Sequence, residues 1–392
     1  MALVKSLGTK KIRTVELVKS LEVPIRLRCP KITLQTPTPA GKISHIDVDL
    51  IRTIAILGVL LLHAANDLTI QQLNDLEIFR WVTVDIYQSL GRVGVPLFIM
   101  LSGALLLAPK KENESMRDFF KKRWVRVGLP FVFWAAIYFL WEIFVNHQAV
   151  TVDFFVDGIL TGPYFHFWYI YMLLGLYLLT PVLRVVIANA RREVLKLFLA
   201  VWFAGTAILP VVALLTPYHL DPNVLTVPLY VGIYVLGIYL LDAQVKKSYL
   251  VAAIVSGVAL TAIFTYALAA TIGGATMFYF QDYSSATMIL TSASLFLLLI
   301  SYPLSSLQPP KTGGASLGRK LLHLVSENTL AIYFLHLIVI EIFQRGFLGF
   351  AVNGNTVNSI VGVPLMVALT LGLCLAIVVP LKQVPYLKKL IG

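Results

Sequence analysis

Ten apolar runs of 18 to 25 residues constrain this chain more than any other feature, lying near 46–65, 86–108, 128–146, 164–183, 195–216, 224–241, 249–272, 285–304, 326–345 and 357–381. A helix needs about 20 apolar residues to cross the hydrocarbon core of a bilayer. The chain is 58% hydrophobic and 13% charged, with a mean hydropathy of +0.81, which is the balance of a polytopic membrane protein and not of a water-soluble domain. The runs therefore predict an all-α protein of about ten transmembrane helices. An even number of crossings puts both termini on the same side.

The net charge of +12 is high enough to raise the question of nucleic acid. The location of the charges argues against such a partner. Of 32 Lys and Arg, 28 fall in the N-terminal leader, in the 109–127, 184–196, 242–248 and 305–323 loops, and at the C-terminal end, all on one predicted side. Positive charge marks the cytoplasmic side, so both termini are expected in the cytoplasm, with the body of the protein in the cell membrane among its lipids. Three parts are expected: a basic, mostly disordered leader over 1–44, a transmembrane domain over 45–385, and a short basic cytoplasmic tail over 386–392. No continuous apolar stretch precedes Ile46, so a cleavable secretion signal is not expected. Cys29 and Cys374 are too few for a disulfide framework, no Cys/His cluster suggests a metal, and none is expected.

Five constellations carry possible chemistry. Asp49, Arg52 and His63 lie on the first run. Arg52 and His63 are eleven positions apart, which returns them to within about 20° of one helical face, roughly 16 Å apart along the axis. Asp49 is spaced to pair with Arg52 and make its burial tolerable. His63, with an unperturbed pKa near neutrality, is the candidate general base or nucleophilic carrier. The second run, Gly91-Arg92 through Ser102-Gly103, carries small residues for close helix approach, with Arg92 about two turns from its outer end. The basic segment Phe119 to Pro130 places Arg123 and Arg126 one turn apart, a spacing suited to clamping phosphate oxygens, although such runs also serve topology alone. His166 sits among Trp and Tyr at the start of the fourth run, at a depth matching His63. An aromatic belt explains those neighbours but not the histidine. His336 lies mid-span in the ninth run and requires a partner or a wet pocket, with Glu341 following it.

These residues in this order resemble the integral-membrane acyltransferase 3 family. Arg52 with ten residues before His63 is similar to its first-helix signature, and Gly91 to Gly103 to its second-helix VPLFFxxSG pattern. Arg123-x-x-Arg126 resembles its basic motif, and His166-Phe-Trp-Tyr and Thr329 to His336 resemble its later helices. The subgroup nearest in character contains the O-acetyltransferase of enterobacterial common antigen. The resemblance implies ten transmembrane helices and transfer of an acyl group, usually acetyl from cytoplasmic acetyl-CoA, to a hydroxyl of a surface or lipid-linked carbohydrate. It assigns catalysis to His63 and Arg52, the CoA contact to Arg123 and Arg126, and pocket or acceptor roles to His166 and His336; Asp49, Arg92 and Glu341 join them as pocket or substrate candidates from their place in the runs. Within the same fold, a longer acyl group, or a lipid or small-molecule hydroxyl as acceptor, is the alternative. From a different class, a secondary transporter would use His63, His166 and His336 as a proton relay.

Overall fold

The computed structural model describes residues 43–66, 78–108, 114–217, 225, 227–302, 316–353 and 356–392. The expected leader falls outside these residues, apart from its last two. Among the described residues the secondary structure is helical throughout, so the all-α reading holds.

Among the described residues, eight helical stretches are long and apolar enough to cross a membrane: Asp47–Asn66, Ile78–Leu106, Met116–Phe144, Val152–Asn189, Arg192–Leu215, Lys247–Thr271, Gly274–Ser301 and Ser359–Leu381. A short apolar segment, Leu229–Asp242, and a bent pair, Leu317–Glu327 with Thr329–Gln344, fill the two remaining places in the order of the ten apolar runs. The protein is a multi-pass membrane protein. Its outward surface agrees, since Leu178, Val182, Val185, Leu197, Val255 and Ile263 are all exposed on the outside of the bundle, where lipid rather than water would meet them.

The helices that position the site are α1 (His45–Asn66), α2 (Ile78–Gly91), α3 (Gly94–Leu106), α4 (Met116–Arg123) and α5 (Leu129–Phe144). They are followed by α6 (Val152–Leu160), α7 (Trp168–Asn189), α8 (Arg192–Phe203), α9 (Leu209–Leu215), α10 (Leu229–Tyr239), α11 (Lys247–Thr271) and α12 (Ala286–Ser301). The last four are α13 (Leu317–Glu327), α14 (Thr329–Gln344), α15 (Ser359–Leu381) and α16 (Pro385–Ile391). Helices α1 and α2 meet backbone to backbone: a Cβ at Gly91 would lie 2.7 Å from both the Gly58 carbonyl and the Leu62 amide. Gly94 is as tightly opposed to the Ala55 carbonyl, and Gly103 and Gly237 bring α3 against α10 in the same way. In a bilayer, where hydrophobicity does not drive helices together, such close small-residue contact supplies the packing energy.

The second crossing begins at Ile78, eight residues before the expected start, and turns briefly at Arg92 and Val93. Arg92 therefore lies mid-crossing, not near the outer end. The basic segment before Pro130 is helical too, running from α4 through a π-helical turn over Trp124–Gly128 into α5. Helix α13 carries Arg319, Lys320, His323 and Glu327 and meets α14 at 78°, so α14 makes the crossing while α13 lies along the face of the bundle. The residues expected as a C-terminal tail form α16, which docks on α5 through a hydrogen bond from Trp134 Nε1 to the Ile391 carbonyl at 3.2 Å.

Candidate active site

Three histidines from three distant parts of the chain meet inside the bundle. His63 occupies the last turn of α1, His336 the middle of α14, and His166 a short 3-10 turn, Phe165–Phe167, that leads into α7. His336 stands between the other two, with ring centroids 5.1 Å from His63 and 5.6 Å from His166. His166 and His336 are buried, whereas His63 is partly exposed. Among the described residues both ring nitrogens of His166 and Nε2 of His336 have no hydrogen-bond partner. His336 Nδ1 lies 2.5 Å from the Tyr333 carbonyl, which fixes the ring. His63 makes ring contacts with His336 and with Phe165 at 5.5 Å but no hydrogen bond among the described residues. Buried polar atoms without partners are rare in folded proteins, and three on adjacent imidazoles mark a site built for something other than packing.

Arg92 borders this cluster because the Gly58 and Gly91 contact brings α2 against Leu62, the neighbour of His63. Its guanidinium lies over the Tyr283 ring at 6.0 Å and within electrostatic reach of His63 and Asp85. The buried Asp85 accepts a hydrogen bond from Gln281 Nε2 at 2.6 Å. Glu341 is engaged on its own side of the cluster: it accepts from Trp141 Nε1 at 2.8 Å and from the Tyr164 hydroxyl, and pairs with Arg345 at 3.3 Å. Those contacts tie α14 to α5 and give Glu341 a clear structural task.

From the basic end, a cavity of about 620 Å³ runs into the bundle. This lies within the ~300–1,000 Å³ common for small-molecule sites. Arg52, Arg126, Lys382 and Lys388 line it, with Glu327 as the one lining Asp or Glu among the described residues. Tyr169, Tyr177 and Tyr333 line it as well. Tyr333 is the bridge to the histidines. Its ring lies 5.5 Å from His166 and 5.7 Å from His336, and its hydroxyl donates to the His166 carbonyl at 2.6 Å. One residue lining the cavity, Tyr333, thus touches two of the three imidazoles.

The structure separates some residues that sequence spacing had joined. Asp49 does not pair with Arg52; its carboxylate accepts from Ser326 Oγ at 2.5 Å and meets His323 Nδ1 at 2.9 Å, holding α13 to α1. Arg52 is left facing the cavity. Arg123 and Arg126 lose the shared face of an α-helix, because the π-helical turn begins between them and widens the winding. Arg126 lines the cavity, while Arg123 stands behind it over the rings of Phe119 at 5.4 Å and Tyr177 at 5.8 Å. Arg52, Arg123 and Arg126 nevertheless all act electrostatically on the Tyr177 hydroxyl, so their charges converge.

Sequence reasoning missed Tyr177, Tyr333, His323, Lys382 and Lys388. Tyr333 is three residues before His336, close to one helical turn, a spacing that could have flagged it. The two lysines carry no signal beyond topology. Among the described residues no group of three or more His, Cys, Asp or Glu is arranged to hold a metal ion.

In a comparison with protein families, a family model described as an acyltransferase domain (Acyl_transf_3) matches residues 45–379. Comparisons with curated proteins and with solved structures return no match.

Proposed function

The chain belongs to the acyltransferase 3 family, and from that membership we propose that this membrane acyltransferase takes an acetyl group from cytoplasmic acetyl-CoA and delivers it to a hydroxyl of a surface or lipid-linked carbohydrate. The observation that carries the donor half of the reading is the basic cavity whose floor, Tyr333, touches His166 and His336. Four cations at its walls suit the phosphates of CoA. The bias of Lys and Arg toward this end supports its facing the cytoplasm, where acyl-CoA is available. The histidine cluster, which Tyr333 joins to the cavity, is where the thioester would be held away from water.

In the proposed reaction the acceptor hydroxyl oxygen attacks the thioester carbonyl carbon and the C–S bond breaks. The hydroxyl proton passes to the His63 imidazole, which then returns it to the departing sulfur, releasing the ester and the CoA thiol. His63 suits that role as the partly exposed member of the cluster with no hydrogen bond to hold it among the described residues. Arg52 orients the donor from the cavity wall and Arg92 stabilises the developing oxyanion from the other side. His336 and His166 position His63 and the acceptor. The subgroup that modifies enterobacterial common antigen remains the nearest in motif character, which favours a glycan acceptor.

The test is turnover of radiolabelled acetyl-CoA by purified protein in liposomes, wild type against His63→Ala, with a panel of carbohydrate acceptors and water. Label transfer that depends on His63 supports the reading. If no acyl-CoA binds or turns over, the proposal fails, and proton-coupled uptake through the histidines becomes the reading to test.

A further inference from the structure

The family match ends at residue 379, yet the cavity does not. Lys382, Gln383, Lys388 and Gly392 all line it, opposite Arg52 on α1 and Arg126 in the π-helical turn. This stretch is held in place by packing: Ile391 is 1% exposed, and its carbonyl receives the hydrogen bond from buried Trp134. Pro385 starts α16 where a missing amide costs nothing, which sets the helix at a defined distance from Lys382.

We propose that the Lys382–Gly392 segment is a wall of the donor site, with Lys382 and Lys388 holding the phosphate-bearing end of the donor nucleotide. The inference rests on the reading of the cavity as the acyl-CoA site. Lys382 Nζ donates to the Glu327 carbonyl at 3.0 Å, which fixes the ammonium beside another residue that lines the cavity. The one lining acidic side chain, Glu327, has an oxygen 3.0 Å from His323 Nε2. The wall therefore presents four cationic side chains against one acidic side chain that is shared with His323, an arrangement that favours a polyanion over a neutral ligand. Burial also pulls the Lys382 pKa below its ordinary value, the mark of an ammonium that has lost water and gains from an anionic partner. Lys389, the next residue on α16, does not line the cavity and serves as an internal control for charge alone.

The experiment measures binding of CoA, 3′-dephospho-CoA and pantetheine to the purified full chain in nanodiscs by isothermal titration. Lys382→Gln combined with Lys388→Gln is expected to weaken CoA at least tenfold, dephospho-CoA less, and pantetheine not at all. Lys389→Gln is expected to bind all three as the wild type does. CoA affinity within twofold of wild type in the double variant overturns the proposal while leaving the donor reading intact. A wild type that binds no CoA overturns both. The single variant Lys388→Gln, at an exposed side chain, gives the same readout with the fold undisturbed and is expected to weaken CoA about threefold.

Discussion

The imidazoles of His63 and His336 lie with ring centroids 5.1 Å apart, one on the first crossing and the other on the ninth. His336 is fully buried and fixed by the Tyr333 carbonyl, whereas His63 is partly exposed and has no hydrogen bond among the described residues. One imidazole is held and the other is free to exchange a proton. His63→Ala is expected to lower acyl transfer by about 10²–10⁴-fold, the usual worth of a positioned general base. Thermal unfolding without ligand should remain cooperative, with a cost of about 0.5–3 kcal/mol from the lost ring contacts with Phe165 and His336. Transfer above a tenth of the wild-type rate would take His63 out of the mechanism.

Arg123 and Arg126 share a motif but not a position. Arg126 lines the cavity, while Arg123 is stacked behind Tyr177. Arg126→Gln should raise the donor KM about tenfold with kcat little changed, the loss of a charge-assisted phosphate contact. Arg123→Gln should act less on the donor KM and more on stability, through lost packing against Phe119 and Tyr177. Steady-state kinetics with varied acetyl-CoA separate the two, and equal effects on KM would mean that both touch the donor.

Tyr333→Phe keeps the ring that closes the cavity but deletes the hydroxyl that donates to the His166 carbonyl. The expected cost is about 0.5–1.5 kcal/mol of stability, the net worth of one such bond, with more if the carbonyl stays unsatisfied. Turnover should fall as well, since the 3-10 turn that carries His166 loses its tether. A variant with wild-type melting and wild-type turnover would show that the tether is dispensable.

His323 joins Asp49 and Glu327, with nitrogen to oxygen distances of 2.9 Å and 3.0 Å, at the exposed face outside the crossings. The hydrogen bond with Asp49, supported by the Glu327 charge, raises the His323 pKa above its ordinary 6.5. A raised folded-state pKa means that this link contributes fully below pH 6.5 and is lost as the pH climbs through the raised value. Amide hydrogen exchange in α13 should therefore quicken as the pH rises above 6.5, beyond the intrinsic base dependence, and His323→Gln should flatten that extra rise. An unchanged profile in the variant would assign the effect elsewhere.

Much of the architecture was legible because apolar length is a local property. The ten runs reappear in order as eight long crossings, a short apolar segment and a bent pair. The start of the second crossing was not legible. Arg80, Thr83 and Asp85 make its first turns look like a loop, and partners that the run itself does not announce, such as Gln281 for Asp85 across the bundle and the Phe79 carbonyl for Thr83, satisfy polar groups there. The same limit hid the partner of Asp49. Helical spacing offered Arg52, three residues away, but the folded chain supplied His323 and Ser326 from another helix.

The sequence by itself determined the fold class, the order of the crossings, the family and the identity of the histidines, since each is written in residue type and local spacing. The tertiary structure decided which histidine stands between the other two, that Arg126 and not Arg123 faces the cavity, and that Lys382 and Lys388 complete its wall. Those outcomes depend on contacts between helices far apart in the chain. Close backbone approach at Gly58 and Gly91, and a π-helical turn at Trp124, rotate and shift side chains by amounts that no periodicity records.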